Sequence, residues 1–267
     1  MRALIFALLL VASPTLAQTS DSRLQTLQTA DDGRGWAAVG RLNMNGAGFC
    51  TGTLIAPDRV LTAAHCLFDR RTGERLDDSR LEFLAGWRNG RAEASRTVRR
   101  AAIWPGFDFA LGAAMANVPS DIAVLELDRP IRLPSVTPFD LADEAPPTGA
   151  EVTVISYAHD RAEAPSLQET CHVLDQRRDG VTILTCDIDS GASGAPVLEM
   201  TPQGLARIVA IISARGETTQ RSIALGMRLS GRVLALNAVL DTGVAGVSPG
   251  QPQGARVTAR FVRPGAP

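Results

Sequence analysis

The amino-acid sequence predicts an all-β protein, a sandwich or barrels rather than alternating strands and helices. Seven short runs, at 36–42, 48–56, 81–85, 121–127, 151–157, 181–185 and 205–213, are rich in β-branched or apolar residues, and Gly, Pro, Asn and Asp separate them. Many short strands with turn signals between them suit closed or face-to-face sheets, not a βαβ fold. One stretch has a helical pattern: over 230–240, Ser230 can cap and Val233, Leu236, Ala238 and Leu240 give a partly apolar face. The strand pattern covers about 200 residues, enough for one large domain or two small ones.

The chain begins with Met1-Arg2, an apolar run over 3–12, and then Ser13-Pro14-Thr15-Leu16-Ala17. A short positive start, an apolar core and small residues at its end predict a secretory signal peptide at 1–17, cleaved after Ala17. The apolar run is too short to be a permanent membrane span, and no later stretch is long and apolar enough for one. Residues 18–34 are polar and predict a propeptide or a disordered extension, with Asp31-Asp32-Gly33-Arg34 as a candidate processing site. The prolines at 130–147 mark a connection between two folded parts, and the Gly-, Pro- and Gln-rich 244–267 predicts a flexible tail.

The formal net charge is −1 with no dense basic block, so nucleic acid is not indicated as a partner. Arg91, Arg96, Arg99 and Arg100 read as a solvated face. Four cysteines, an even number in a chain predicted to be exported, favour disulfides over metal ligation, and no His or Cys pair has zinc-site spacing. No acidic loop has a calcium-site spacing.

Three segments carry chemistry. Cys186-Asp187-Ile188-Asp189-Ser190-Gly191-Ala192-Ser193-Gly194-Ala195-Pro196 sets a serine among glycines, which let the backbone turn tightly and aim the N–H groups of Gly191 and Ser193 at one spot. By itself this is also an ordinary small-residue turn. Leu61-Thr62-Ala63-Ala64-His65-Cys66 offers a histidine, and Ser120-Asp121-Ile122-Ala123-Val124-Leu125 opens a strand with an acid, for which a strand-initiating turn residue is the lesser reading. Of the three histidines, His159 lies in a polar loop and reads as a surface residue. His172 follows Cys171 in a strand-like segment, with a structural or substrate-facing role.

The order His, Asp, Ser and the residues around each resemble the trypsin-like (chymotrypsin-fold) serine proteases, most closely the bacterial secreted branch near the glutamyl endopeptidases, over about 36–240. The resemblance implies two six-stranded antiparallel β-barrels with a C-terminal helix and the active site in the cleft between them. A barrel over 35–135 would carry His and Asp, and one over 136–243 the Ser and the terminal helix. It also implies catalytic His65, Asp121 and Ser193, an oxyanion hole of the Gly191 and Ser193 amides, and disulfides Cys50–Cys66 and Cys171–Cys186.

The expected activity is a secreted serine endopeptidase acting on polypeptides through an acyl-enzyme. It needs no cofactor or metal, has no nucleic-acid or membrane partner, and is expected to be a monomer, periplasmic or extracellular. An inactive protease homologue acting as an extracellular binding module, and an esterase with the same triad, stay open. Trypsin-type zymogens pair a new N-terminal amine with an aspartate just before the serine, and Ala192 stands there. Ile212, Ser213, Ala214 and Arg215 would line the substrate groove. Ile212 replaces the histidine of glutamate-specific relatives, whereas Asp187 has the spacing of the acidic pocket base that selects Arg or Lys.

Overall fold

A computed structural model describes residues 20–229 and 231–242. The expected signal peptide, the tail at 244–267 and the capping role of Ser230 lie outside the described residues.

The chain enters through β1 (Gln25–Thr26), followed by β2 (Val39–Asn43), β3 (Phe49–Ala56), β4 (Arg59–Thr62), β5 (Glu82–Ala85), β6 (Ala94–Ile103) and β7 (Ala123–Leu127). Strands β2 to β7 close into a barrel in the order β2-β3-β4-β7-β6-β5. Its interior is apolar: Leu42, Leu54, Val60, Phe83 and Leu125 are fully buried. In β6, Ala94, Val98 and Ala102 are buried, while its arginines are half-buried or exposed. Those arginines are tied down rather than free. Arg99 reaches Glu126 at 3.3 Å, Arg100 Nε donates to the same carboxylate at 2.7 Å, and Arg96 Nε donates to Arg129 O at 3.2 Å.

The connector after β7 buries Ile131, Val136 and Phe139 and contains only β8 (Asp140–Leu141). Then come β9 (Glu151–Ala158), β10 (Arg161–Gln176), β11 (Val181–Leu184), β12 (Pro196–Met200), β13 (Ala206–Glu217) and β14 (Ser222–Arg228). These six form the path β10-β11-β14-β13-β12-β9, and pairing of β9 with β10 closes a second barrel. β8 adds to β13 in parallel. The architecture is therefore two six-stranded antiparallel barrels, as the resemblance implies. Both implied disulfides form, Cys50–Cys66 in the first barrel and Cys171–Cys186 in the second.

Two segments sit differently from expectation. The helix α1 (Arg232–Thr242), expected with the second barrel, packs on β6 and β7 of the first and buries Val233, Leu236 and Leu240 there. Arg59 of β4 fixes it by a 2.8 Å bond to Asp241, and Arg232 lies 5.5 Å over the Trp104 ring. The described part of 18–34 is not loose. β1 pairs with β10, Ser22 exchanges hydrogen bonds with Thr170 through its main-chain N–H and its hydroxyl, and Leu27 is buried.

Candidate active site

β4 and β7 pair antiparallel with Thr62 opposite Ala123. The residues just after β4 and just before β7 therefore emerge at the same end of the first barrel. His65 lies in the 3-10 turn Ala64–Leu67 and Asp121 directly follows the 3-10 turn Val118–Ser120. Their meeting follows from this register.

Asp121 is 4% exposed and is held from three directions. Its Oδ1 accepts the His65 main-chain N–H at 2.9 Å, its Oδ2 lies 2.7 Å from His65 Nδ1, and the Ser213 hydroxyl donates to Oδ2 at 2.5 Å. A buried carboxylate with three donors is satisfied without water and keeps the imidazole in one orientation. With Nδ1 on the acid, Nε2 is the nitrogen left for chemistry.

Ser193 lies in the turn between β11 and β12. The Thr51 N–H donates to Ser193 O at 2.9 Å, and Gly194 N–H donates to Ile212 O at 2.7 Å, so both barrels grip the turn. Gly194 has φ +81°, and a Cβ there would fall 2.2 Å from Thr51 O and 2.3 Å from Thr62 Oγ1. Gly191 has φ +102°, and its Cβ would fall 2.5 Å from Phe49 Cε2. Both positions demand glycine for conformation and for space.

The two amides of interest are fixed by what their peptide partners do. His159 N–H donates to Ser190 O at 2.8 Å, and Ala195 N–H donates to Ala192 O at 2.9 Å. In a trans peptide the N–H points away from its own carbonyl, so the Gly191 and Ser193 N–H groups face opposite to these anchors. Among the described residues, neither donates to a protein acceptor. Ser193 Oγ likewise takes part in no hydrogen bond with the described residues. Nucleophile–base bonds commonly tighten only when substrate is bound.

His65, Asp121 and Ser193 line one cleft of about 430 Å³. Phe107 and Phe109 form one apolar wall, Ile188 and Ile212 another, while Arg70, Asp189 and Arg215 bring charge. Phe109 stacks on Phe68 at 4.9 Å between ring centroids. Asn117, 2% exposed, holds the 105–117 loop by donating to Asp108 O at 2.8 Å and Gly112 O at 2.9 Å.

Of the groove residues expected from sequence, Ile212, Ser213, Ala214 and Arg215 all border this cleft. Ser213 spends its hydroxyl on Asp121 rather than facing substrate with it. Asp187 does not line the cleft. It is exposed, and it borders a neighbouring cavity with Asp21, Arg215 and Arg221. The reason is local: Gln168 Oε1 accepts the Asp187 N–H at 2.8 Å, and strand-like alternation turns Ile188, 4% exposed, inward instead. His172 is remote from the cleft, its Nδ1 2.8 Å from Asp21. His159 is exposed and rests on Phe49 at 4.9 Å. His65 also lies beside Cys50 and Cys66, but both sulfurs are in the disulfide and offer no thiolate to a metal. Sequence reasoning missed Thr51, Asn117 and the Phe107–Phe109 wall. Only the polar Thr51 between Cys50 and Gly52, in an apolar strand, hinted at one of them.

A family model described as a trypsin-like peptidase domain matches residues 50–206, more than half of the chain. A modular serine protease of Drosophila melanogaster is 38% identical over 95 residues, which are 33% of this chain and 14% of that protein. The chain thus matches only a small part of that relative's length. A solved structure of a Glu endopeptidase superposes with a TM-score of 0.66 at 18% identity, covering 84% of this chain and 98% of that one, which is a likeness of fold. The chain belongs to the trypsin-like peptidase family.

Proposed function

We propose that this protein is an exported serine endopeptidase that cleaves polypeptides through an acyl-enzyme, with Ser193, His65 and Asp121 as its triad. The observation that carries the reading is the buried Asp121 carboxylate, holding the His65 ring at 2.7 Å in the same cleft as Ser193. Ser193 Oγ attacks the scissile carbonyl carbon while His65 Nε2 takes its proton. Asp121 stabilises the imidazolium that results, and His65 then returns the proton to the leaving amine. Water repeats the sequence in reverse to release the acid. The amides of Gly191 and Ser193 stabilise the oxyanion, where one donor contributes about 3–4 kcal/mol.

An extended polypeptide has a place to lie. β12 leaves β13 at Ile211, whereas β14 stays paired with β13 on the other side through Glu217, so the cleft-side edge from Ser213 to Arg215 is open for β-type pairing. Preference for Arg or Lys through Asp187 loses its basis because that side chain is outside the cleft. Two disulfides fit an oxidising compartment, so we place the protein outside the cytoplasm once residues 1–17 are removed. Among the described residues, no helix is long and apolar enough to cross a membrane. The test is a mixed peptide library read by mass spectrometry, with an activated ester run in parallel. Peptide cleavage that Ser193→Ala abolishes is expected. Ester turnover with every peptide left intact would replace the endopeptidase reading by an esterase.

A further inference from the structure

We propose that Thr51 is a positioning residue for the oxyanion hole, a clasp on the first barrel that sets the nucleophile turn of the second. The proposal rests on the serine endopeptidase reading above. Thr51 lies on β3, fully buried, next to the disulfide-bonded Cys50. All of its polar groups are engaged across the barrel boundary or toward the His65 segment. Its hydroxyl donates to Gly191 O at 2.9 Å and accepts the Tyr157 N–H at 3.0 Å. Its main-chain N–H donates to Ser193 O at 2.9 Å, and its carbonyl accepts the Thr62 hydroxyl at 2.9 Å, three residues before His65.

The consequence is geometric. Gly191 and Ser193 supply the two amides of the proposed hole, and Thr51 holds the carbonyl of each of these two residues. The Gly191 carbonyl belongs to the peptide joining Gly191 to Ala192, so fixing it sets the ψ of Gly191. Glycine resists rotation there less than any other residue, so the restraint has to come from outside it. The same hydroxyl ties that peptide to Tyr157, two residues before His159, whose N–H orients the Ser190–Gly191 peptide. The side chain thus grips one peptide plane flanking Gly191 directly and is bonded to the same end of β9 that grips the other. Without it, the Gly191 carbonyl and the Tyr157 N–H lose their shared partner in a buried place, and the turn is free to swing one amide out of line.

Thr51→Ala and Thr51→Ser both lose the methyl group and differ only in the hydroxyl, while Thr51→Val keeps the shape and loses the hydroxyl. The readouts are kcat and KM on a cleaved peptide, the rate of fluorophosphonate labelling of Ser193, affinity for a peptide boronate that mimics the tetrahedral anion, and the thermal midpoint. We expect Thr51→Ala and Thr51→Val to lower kcat, labelling rate and boronate affinity by about ten- to a hundredfold, less than loss of a whole donor, with KM nearly unchanged. Thr51→Ser should restore all three to within about threefold of the wild type, the spread expected of a conservative contact change. Should Thr51→Val not fold, the Ala and Ser pair decides alone. Equal activity of Thr51→Ala and Thr51→Ser would overturn the clasp, as would losses confined to KM or to the thermal midpoint. A wild-type protein that fluorophosphonate does not label at Ser193 would instead sink the serine endopeptidase reading, and the clasp with it.

Discussion

Gly194→Ala probes the join between the barrels most sharply. At φ +81° an alanine carries a backbone cost of about 1–2 kcal/mol. Its Cβ would also meet Thr51 O at 2.2 Å, Thr62 Oγ1 at 2.3 Å and Ala63 N at 3.0 Å. Two of these are main-chain atoms, and the third is a hydroxyl already bonded to Thr51 O, so none can move aside cheaply. Overpacking of this kind adds about 1–3 kcal/mol, for a total of about 2–5 kcal/mol. In a chain of this size that lowers the thermal midpoint by roughly 4–20 °C, at about 2–4 °C per kcal/mol. Gly204→Ala is the control: φ is +77°, but nothing lies within 4 Å of the added carbon, so only the backbone cost of about 1–2 kcal/mol remains. Calorimetry on the two variants measures the difference, and peptide turnover reports whether Ser193 has been displaced. A Gly194→Ala protein as stable and active as Gly204→Ala would refute the close approach of the Ser193 turn to Thr51 and Thr62.

Other consequences are simpler. Asp187→Ser should leave cleavage preference in a peptide library unchanged, because that exposed side chain lies outside the cleft; a lost preference for Arg or Lys would contradict this placement. The Asp179 carboxyl, paired with Arg177 at 2.9 Å, is held below its ordinary 3.8 chiefly by that side-chain hydrogen bond. A group lowered in the folded state contributes stability above its unfolded value and loses it as pH falls through the lower folded one. Urea unfolding should therefore find the wild type slightly more stable than Asp179→Asn at neutral pH, a small difference because the pair is exposed to solvent, and the two should converge in strong acid.

Much of this was legible in the sequence, for physical reasons that differ from element to element. β3, β5, β7, β9 and β11 are buried on most of their residues and read as dense β-branched or apolar runs. β6 escaped because most of its exposed and half-buried positions are Ser, Thr and Arg, and two of its three buried residues are alanine. β10 escaped because it is long, shifts register at three places and carries Pro165. The three residues of the proposed triad stand in local motifs, and β4–β7 register brings His65 and Asp121 together. Specificity was not legible: counting back from Ser193 pointed to Asp187, but the hydrogen bond from its N–H to Gln168 and the inward turn of Ile188 are set by residues distant in sequence. The place of α1 on the first barrel was equally hidden, since an apolar face does not say which surface it covers.

The central claim is that the His65–Asp121 pair activates Ser193 as a nucleophile. The most direct measurement is fluorophosphonate labelling of the exported protein, with the adduct located by peptide mapping in the wild type, Ser193→Ala and His65→Ala. The account predicts a single adduct on Ser193 in the wild type and none in either variant. An unlabelled wild type, or labelling of Ser193 that persists at the same rate in His65→Ala, would contradict it.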